Sequence, residues 1–323
     1  MFKKLIGLTI TLVCVMAIGT PWAMATDYPA RDIRVTIPYG AGGGTDTQAR
    51  IFLNTVEKHL GKPMVVMNKP GAGGEIGNKA IARAKADGYN LGVLAYSDSA
   101  IRTAYKQTKY ANDDFRYIAT FTKSPVVLIV KKDSSYKTIK NMVTFAKKNP
   151  GKITVAMCGD THNLTTVLFE QKAGIKLTPV FYKSGSKALN ALMGGHVDAA
   201  MIAVQFGVVA KAQGLTVVAA AGDKRLESLP ETPTFLEEGY DIKVMQSRIL
   251  VAPKGTPDAI VEILKVACDK AARNTELITK MTNLGEVFTY MSGQELETYI
   301  KDTNAALMPF VSANAEKFMR KRK

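Results

Sequence analysis

The chain has 323 residues and a formal net charge of +15, with 46% hydrophobic and 22% charged residues. Its charged fraction is too low for a disordered tail, and its length allows two lobes at about 100–200 residues per domain. The basic balance raises nucleic acid as a partner, but the charges are scattered, without an arginine-rich helix or interleaved aromatic residues. We therefore expect no nucleic-acid partner. A positive protein instead attracts anionic solutes by long-range steering.

Residues 1–25 are typical of a cleaved export signal. Lysines at positions 3 and 4 precede an apolar run over residues 5–18, which is shorter than the roughly 20 residues that a membrane-spanning helix needs. Ala23-Met24-Ala25 then supplies the small-x-small pattern that signal peptidase recognises. We predict export, cleavage after Ala25 and a mature chain that starts at Thr26.

Strands and helices are predicted to alternate through the first part of the mature chain. The strands cover residues 33–37, 64–67 and 90–95, and the helices between them cover residues 45–60 and 75–85. Phe52, Val56 and Leu60 share one face of the first helix, which Thr45 or Asp46 can cap. This βαβαβ succession predicts a parallel sheet with right-handed crossovers.

The pattern restarts after residues 121–125. Further strands are predicted over residues 126–130, 153–156, 177–181, 197–202 and 217–220, and helices over 139–148, 164–173 and 187–193. A return strand at residues 249–251 precedes long helices that run to the C-terminus. We therefore expect two lobes joined by two crossings, with hinges near Ser124 and Arg248. The predicted boundaries are 26–124 for the first part of lobe 1, 125–247 for lobe 2 and 248–323 for the return crossing and the rest of lobe 1.

Two cysteines remain in the mature chain, Cys158 and Cys268. An oxidising compartment permits a disulfide between them, but their positions in sequence do not show whether they come within bonding distance. We favour the interpretation that they are two separate buried thiols.

Two glycine-rich loops lie between a predicted strand and a predicted helix. Residues 38–46 have the sequence PYGAGGGTD, and residues 68–77 have the sequence NKPGAGGEIG. Glycine lets the backbone approach a ligand closely, and the start of a helix presents free N–H groups with a partial positive charge. At the carboxyl ends of parallel strands, such loops suit an anion such as a carboxylate or a phosphate. Either loop alone is also compatible with tight turns and no ligand.

Nucleotide binding is disfavoured by the details of both loops. Thr45 and Ile76 occupy the third-glycine positions of G-x-G-x-x-G, and neither loop has the G-K-[ST] ending of a P-loop. Export also removes the protein from its ATP supply.

An enzyme is a distant alternative. Cys158, Asp160 and His162 lie close together in sequence, and a Cys–His pair can make an activated thiolate. Residues 184–187 match S-x-x-K, but the companion K-T-G and S-D-N motifs are absent. The three histidines lack the spacing of zinc ligands. A periplasmic thiol hydrolase stays as this alternative, and we predict no catalytic residue, no metal and no cofactor.

Short motifs extend in register over the mature chain. They are YPAR (28–31) leading to IPYGAGGGTD (37–46), NKPGAGG (68–74), ADGY (86–89), GGHVD (194–198), LPETPT (229–234) with EGY (238–240), and APKGTP (252–257). Together they resemble the substrate-binding proteins of tripartite tricarboxylate transporters, the Bug or TctC-like family. The resemblance implies a periplasmic α/β protein with a two-lobed periplasmic-binding-protein fold. This fold is type II-like, with two interlobe crossings and parallel-rich sheets flanked by helices.

The family resemblance also implies a function. We interpret the chain as a monomeric solute-binding protein that captures a small organic carboxylate in the interlobe cleft. The ligand would pass to a membrane permease of large and small subunits that is driven by an ion gradient. Dicarboxylates, tricarboxylates, acidic amino acids and aromatic acids all stay open as ligands. A protein of the same fold that serves a membrane sensor is the alternative.

The resemblance places one ligand carboxylate against loops of the first lobe, and the other end of the ligand against loops of the second. The first-lobe candidates are Tyr39, Gly42, Gly43, Gly44, Thr45, Asp46, Gly71, Ala72, Gly73 and Gly74. The second-lobe candidates are Thr161, Asn163, Tyr182, Lys183 and Ser184. Ser97, after the third strand, is a further hydroxyl donor. Because Asp46 is itself anionic, we expect it to cap its helix, hold a water, or accept from a ligand amine or hydroxyl.

The chain departs from the family pattern at two places. In the segment CGDTHNL (158–164), His162 comes one place early and Asp160 replaces a small residue, which would disfavour a second carboxylate if Asp160 faces the cleft. Before the return strand, where the family often has tryptophan, this chain has the sequence QSR at 246–248. We hypothesise that Arg248 pairs with a distal carboxylate, since guanidinium binds carboxylate bidentately. A surface or interlobe salt bridge is the alternative.

Overall fold

The computed structural model describes residues 27–106 and 108–319, so the predicted export signal lies outside the described residues. The first lobe begins with alternating strands and helices. They are β1 (Ile33–Ile37), α1 (Gly44–Leu60), β2 (Met64–Asn68), α2 (Glu75–Ala82), β3 (Asn90–Ala95) and α3 (Tyr96–Tyr105). Strand β1 pairs in parallel with both β2 and β3, which confirms the predicted βαβαβ arrangement.

The second lobe follows a long strand and repeats the alternation. Its elements are β4 (Phe115–Val130), α4 (Ile139–Lys148), β5 (Thr154–Met157), α5 (Asp160–Ala173), β6 (Thr178–Phe181), α6 (Gly185–Met193), β7 (Ala199–Ala203), α7 (Val204–Ala212) and β8 (Thr216–Ala220). The chain then returns through β9 (Met245–Pro253), α8 (Asp258–Ala272), α9 (Thr275–Asn283), β10 (Val287–Ser292), α10 (Gly293–Ala313) and α11 (Ala315–Phe318).

The described strands form two sheets that share β4. The sheet of the first lobe has the order β2-β1-β3-β9-β4-β10, and the sheet of the second lobe has the order β6-β5-β7-β4-β8. Up to Lys123, β4 pairs with β10, and from Val126 onward it pairs with β7. Strand β9 pairs antiparallel with β4, from Pro253 opposite Phe115 to Met245 opposite Pro125. The chain therefore crosses between the lobes twice, at neighbouring points.

Each lobe has its own hydrophobic core. In the first lobe, Phe52 of α1 stacks on Phe121 of β4 with ring centroids 4.5 Å apart, among fully buried residues of β1. In the second lobe, Leu128 of β4 packs with Phe169 of α5. The C-terminal helices join the second core, because Phe318 of α11 is buried there. Among the residues that the structure describes, no helix has the length and apolar character needed to span a membrane.

Several predicted elements differ from the structure. Residues 121–125, predicted as a break, lie inside β4, because their backbone pairs with β9 and β10. Helices α3 and α7 were not predicted, since each begins directly after a strand without a loop to mark it. The C-terminal region is not purely helical, because β10 pairs with β4. In contrast, β3 and α4 have the predicted bounds.

Candidate functional site

A cavity of about 280 Å³ lies between the two lobes, and we refer to it as the interlobe cavity. The first lobe supplies one part of its wall, with residues 39–45 and Asp98, and the crossing strand β9 adds Gln246 and Arg248. The second lobe supplies the other part, with Cys158, Gly159, His162, residues 183–187, Ala203 and Phe206.

Four helices begin at this cavity. The residues that precede α1, α5, α6 and α7 all lie on its wall, and they are Gly43, Gly159, Ser184 and Ala203. The first N–H groups of a helix have no partner within the helix, and the helix dipole gives this end a partial positive charge. A site where four such ends meet favours an anion.

Two glycines allow the helix starts to approach their neighbours closely. A Cβ on Gly44 would lie 2.9 Å from the side-chain nitrogen of Gln205, and a Cβ on Gly185 would lie 2.1 Å from the ring of Phe206. The first of these contacts joins α1 to α7 across the cavity. Gln48 of α1 also donates to Oε1 of Gln205 at 2.9 Å.

Asp46 lies behind the first glycine-rich loop and shapes it. Its carboxylate accepts from the N–H of Gly42 at 2.9 Å, from Nδ2 of Asn68 at 2.8 Å and from Nε of Arg50 at 3.0 Å. Burial acts to raise the pKa of Asp46, but these hydrogen bonds hold it below the ordinary value. The side chain is buried, is not part of the cavity wall and fixes the loop that leads into α1.

Arg248 of β9 lies on the cavity wall and is only 2% exposed. Its Nε donates to Oγ1 of Thr45 at 3.3 Å, its Nη2 donates to Oε1 of Gln246 at 2.8 Å, and its Nη1 donates to Oγ of Ser124. Burial lowers the pKa of Arg248, against the opposing effect of nearby carboxylates. An arginine nevertheless stays charged in proteins. Its burial excludes the surface alternative for this residue.

Glu286 lies beyond Arg248, away from the cavity wall. Oγ of Ser124 accepts from Arg248 and donates to Glu286, and Nε2 of Gln48 donates to the same carboxyl group. Burial raises the pKa of Glu286 above its ordinary value. Glu286 therefore acts on Arg248 electrostatically and through the hydroxyl group of Ser124, without an ion pair between the two side chains.

Asp98 of α3 bridges the two lobes. Its Oδ1 accepts from the backbone N–H of Thr161 at 2.7 Å and from Oγ1 of the same residue at 2.8 Å, which caps the start of α5. Its Oδ2 accepts from Nε2 of Gln246. Among the described residues, Asp98 is the one acidic side chain on the cavity wall.

Cys158 and His162 come together at the wall, with Sγ and Nδ1 3.4 Å apart. Burial lowers the pKa of His162 to about 4, so the ring is neutral at physiological pH. A neutral ring does not supply the imidazolium charge that stabilises a thiolate. Its Nε2 is buried and has no hydrogen-bond partner among the described residues. Cys158 and Cys268 are not joined to each other, and Cys268 lies in the first-lobe core.

Asp160 lies outside the cavity wall. Its carboxylate forms a buried ion pair with Arg102 of α3 and accepts from the hydroxyl group of Tyr105 at 3.2 Å. Arg102 also donates to the carbonyl oxygen of Ala72 at 2.5 Å. The negative charge of Asp160 is therefore neutralised by this pair and does not face the interlobe cavity.

The structure brings only part of the predicted set to the cavity. The wall includes Tyr39, Gly42, Gly43, Gly44, Thr45, Lys183, Ser184 and Arg248. The remaining candidates are not on it, namely Asp46, Gly71, Ala72, Gly73, Gly74, Ser97, Thr161, Asn163 and Tyr182.

Several of these remaining candidates have partners elsewhere in the fold. Ser97 lies on α3 and donates to the carbonyl oxygen of Met245 at 2.8 Å. Asn163 donates to the carbonyl oxygen of Lys317 at 3.3 Å. The backbone N–H of Tyr182 donates to the carbonyl oxygen of Met157 at 2.7 Å.

Sequence reasoning missed several wall residues, notably Asp98, Gln246 and Phe206. A signal for Asp98 was present, because polar side chains at the carboxyl end of a parallel strand are candidates for a site. Ser97 was chosen there as a hydroxyl donor that follows the third strand, whereas α3 starts directly after that strand and the next residue, Asp98, lies on the cavity wall. In residues 27–106 and 108–319, no three His, Cys, Asp or Glu side chains form a group that could hold a metal ion.

Two α/β lobes that are joined by two crossing strands and enclose a cavity define a two-lobed solute-binding protein. The family model described as tripartite tricarboxylate transporter family receptor, TctC, matches residues 48–314. A UPF0065 protein from the gbd 5' region of Cupriavidus necator is 32% identical over 283 residues, which cover 87% of this chain and 86% of the relative. The chain therefore belongs to the TctC family of periplasmic solute-binding proteins.

Solved structures of the same type agree with this assignment. The periplasmic binding protein BugD has a TM-score of 0.81 and 29% identity, over 90% of this chain and 99% of BugD. MatC from Rhodopseudomonas palustris, with bound malate, has a TM-score of 0.79 and 26% identity, over 88% of this chain and all of MatC (100%). These similarities confirm the predicted two-lobed periplasmic-binding-protein fold.

Proposed function

We propose that the protein captures a small organic carboxylate in the interlobe cavity and delivers it to a tripartite tricarboxylate transporter. The observation that carries the proposal is the meeting of four helix starts with the buried guanidinium of Arg248 on one cavity wall. This arrangement provides N–H donors and positive charge where a carboxylate would lie. The relative MatC, which was solved with bound malate, supports a carboxylate as the ligand class.

Capture in this proposal works by closure of the lobes over the ligand. The bonds from Gln48 to Gln205 and from Thr161 to Asp98 cross between the lobes at the cavity. Closure excludes water, and hydrogen bonds to the anion become stronger as the local dielectric falls. We propose hinges where β4 and β9 change lobes, near Ser124 and Arg248, with residues 125–247 as the moving second lobe.

We further propose that the mature protein is a monomer that begins at Thr26 after cleavage of the export signal. It would carry its ligand to the large and small membrane subunits of an ion-driven permease. Deletion of the gene should then abolish uptake of the ligand by whole cells, and a plasmid copy should restore it. Normal uptake in the deletion strain would contradict the delivery role while leaving capture intact.

The first experiment is a thermal shift of the mature protein against carboxylates and uncharged analogues. The protein is first unfolded and refolded, to remove any ligand retained from the cells. A ligand at 100 times its Kd should add about 2.7 kcal/mol of stability, which corresponds to a rise in Tm of several degrees. A shift with carboxylates alone would support capture. No shift with any acid, in a protein shown to be folded, would contradict it.

The contact between Cys158 and His162 supports a second candidate, a thiol hydrolase. The neutral state of His162 argues against it, because a neutral imidazole does not supply the positive charge of the imidazolium that stabilises a thiolate in a Cys–His pair. A panel of esters and amides tests this candidate directly. Turnover that disappears in Cys158→Ser would establish hydrolysis, whereas carboxylate binding that survives this substitution supports a binding role alone.

A further inference from the structure

The charge of Arg248 is not balanced by any direct partner in the described part of the chain. Arginine has five N–H donors, and three of them bond to neutral oxygens of Thr45, Ser124 and Gln246. None of the salt bridges among the described residues includes Arg248. The carboxylates of Glu286 and Asp98 act on the guanidinium electrostatically, but neither forms an ion pair with it. Its remaining N–H donors are available to a ligand carboxylate, which guanidinium binds bidentately. Arg248 therefore provides a place for an anionic group of the ligand.

The wall offers almost nothing to a ligand ammonium group. Asp98 is its one acid among the described residues, and three of about four acceptor positions of that carboxylate are occupied by Thr161 and Gln246. Cationic side chains on the same wall outnumber it, since Arg248, Lys183 and Lys187 all lie there. An ammonium group would therefore meet like charges and helix starts without gaining a carboxylate of its own.

Two positive regions of the wall lie on different lobes. On the first lobe, Arg248 bonds to Thr45 at the start of α1. On the second lobe, α6 begins at Ser184, with Lys183 and Lys187 beside it. Ser184 accepts from the N–H of Lys187 at 3.3 Å, which leaves the preceding N–H groups of this helix start for a ligand. Two separate positive regions suit a molecule with two carboxylates.

His162 gives an independent sign that a ligand completes this site. The ring is on the cavity wall and 2% exposed, and its Nε2 has no partner among the described residues. A buried nitrogen without a hydrogen bond is costly. A polar atom of a bound ligand would satisfy it, in the same cavity that holds Arg248.

We infer that the ligand is a dicarboxylate without an amino group, and that Arg248 selects it by binding one of the two carboxylates. This inference rests on the proposed function, because it names the ligand class of the same cavity. It excludes acidic amino acids and simple monocarboxylates as preferred ligands.

The test is calorimetric titration of the refolded mature protein at pH 7 with matched acids. The probes are succinate, glutarate and adipate, the monoamide of the diacid that binds best, the monocarboxylate of equal chain length, and aspartate or glutamate. The monoamide and the monocarboxylate should bind at least tenfold more weakly than the diacid. The 2-amino diacid should lose a similar factor.

Arg248→Gln assigns the effect to the guanidinium. In this variant the affinity ratio of diacid to monoamide should fall towards one, because the group that distinguishes them is gone. Arg248→Lys, which keeps the charge but not the planar fork, should retain part of the ratio. Arg116→Gln is the matched control, since it removes a cation that pairs with Asp258 outside the cavity. It should leave the ratio unchanged.

Each outcome separates the inference from the proposed function. Failure of every acid to bind would overturn the proposed function itself. Equal binding of diacid and monoamide, or an unchanged ratio in Arg248→Gln, would overturn the inference and leave carboxylate capture standing. A 2-amino diacid that binds as tightly as the plain diacid would overturn the exclusion of amino acids. If Arg248→Gln does not fold, the ligand series on the unaltered protein still decides between diacid and monoamide.

Discussion

The two glycine-rich loops of the first lobe have similar sequences but different positions. The first loop, residues 38–46, forms part of the cavity wall and leads into α1. The second loop, residues 68–77, lies behind it. A Cβ on Gly74 would lie 3.1 Å from the hydroxyl oxygen of Tyr39, and a Cβ on Gly77 would lie 2.5 Å from the Cα of Pro38. One loop faces the ligand site, and the other supports it.

This difference shows that a glycine cluster can serve backbone packing as well as ligand binding. Gly74 has φ of 98° and Gly71 has φ of 136°, which are conformations that favour glycine. The carbonyl group between them, at Ala72, is held by Arg102, which also pairs with Asp160 of the second lobe. The second loop is thus tied to the buried ion pair, whereas the first is held by Asp46.

The largest expected loss of stability concerns the buried ion pair between Arg102 and Asp160, to which the second loop is tied. Arg102→Gln removes the guanidinium that pairs with the buried Asp160, and removing one member of a buried ion pair costs about 3–5 kcal/mol. Urea unfolding of the mature variant measures this loss. Arg116→Gln, which breaks an exposed pair with Asp258, should cost less than about 1 kcal/mol. Equal losses of unfolding free energy in the two variants would contradict the prediction that the buried pair contributes more to stability than the exposed one.

The next largest loss of stability comes from comparing an alanine substitution in each of the two loops. Gly77→Ala should reduce the free energy of unfolding by about 3 kcal/mol, because its Cβ meets the backbone of Pro38 and the carbonyl oxygen of Lys69. Gly40→Ala in the first loop meets nothing within 4 Å and should change stability by less than about 0.5 kcal/mol. The prediction is contradicted if both substitutions are tolerated equally.

On the second-lobe part of the cavity wall, the buried ring of His162 should make stability depend on pH. The folded pKa of His162, about 4, lies below the unfolded value, so the unfolded state binds more protons between them. Stability from the neutral ring is complete above about pH 6.5 and is lost as pH falls towards 4, by about 3 kcal/mol. His162→Gln should remove this loss. The exposed residue His59, changed to Gln, is the control and should keep the wild-type slope in urea unfolding at several pH values.

The smallest expected effect concerns ligand affinity at the first loop. Gly44→Ala places a methyl group against the side chain of Gln205, which can move, so stability should change by less than about 1 kcal/mol. The displaced start of α1 should weaken carboxylate binding about tenfold, which is about 1.4 kcal/mol. Calorimetric titration measures this change, with Gly255→Ala, outside the cavity, as the control. Unchanged affinity would mean that the first loop does not contact the ligand.

The fold was largely predictable because periodicity and helix boundaries are local. Strand β3 and helix α4 have the predicted bounds, and the parallel pairing around β1 follows from the βαβαβ order. The long strand β4 was not predictable in the same way. Its segment 121–125 contains Ser124 and Pro125, which suggest a break, but pairing with β9 keeps it extended.

The candidate site was predictable only in part. The first loop was found from its glycine motif and Arg248 from a departure from the family pattern, and both lie on the cavity wall, whereas the second loop does not. Gln246 was named only as a departure from the family pattern, and Asp98 was passed over for its neighbour Ser97. No local sequence pattern tells Asp98 from Ser97, because the residue at which α3 begins decides which of the two side chains lies on the cavity wall.

The sequence by itself determined the βαβαβ order of the first lobe, the glycine turns and the family, since each is carried by patterns or motifs of residues that are close together in the chain. Only the tertiary structure decided which charges face the cavity and which are neutralised. Asp160 forms an ion pair with Arg102, whereas Arg248 bonds to neutral oxygens and forms no ion pair within the described chain. The reason is physical, because burial and pairing depend on contacts between elements that are distant in sequence.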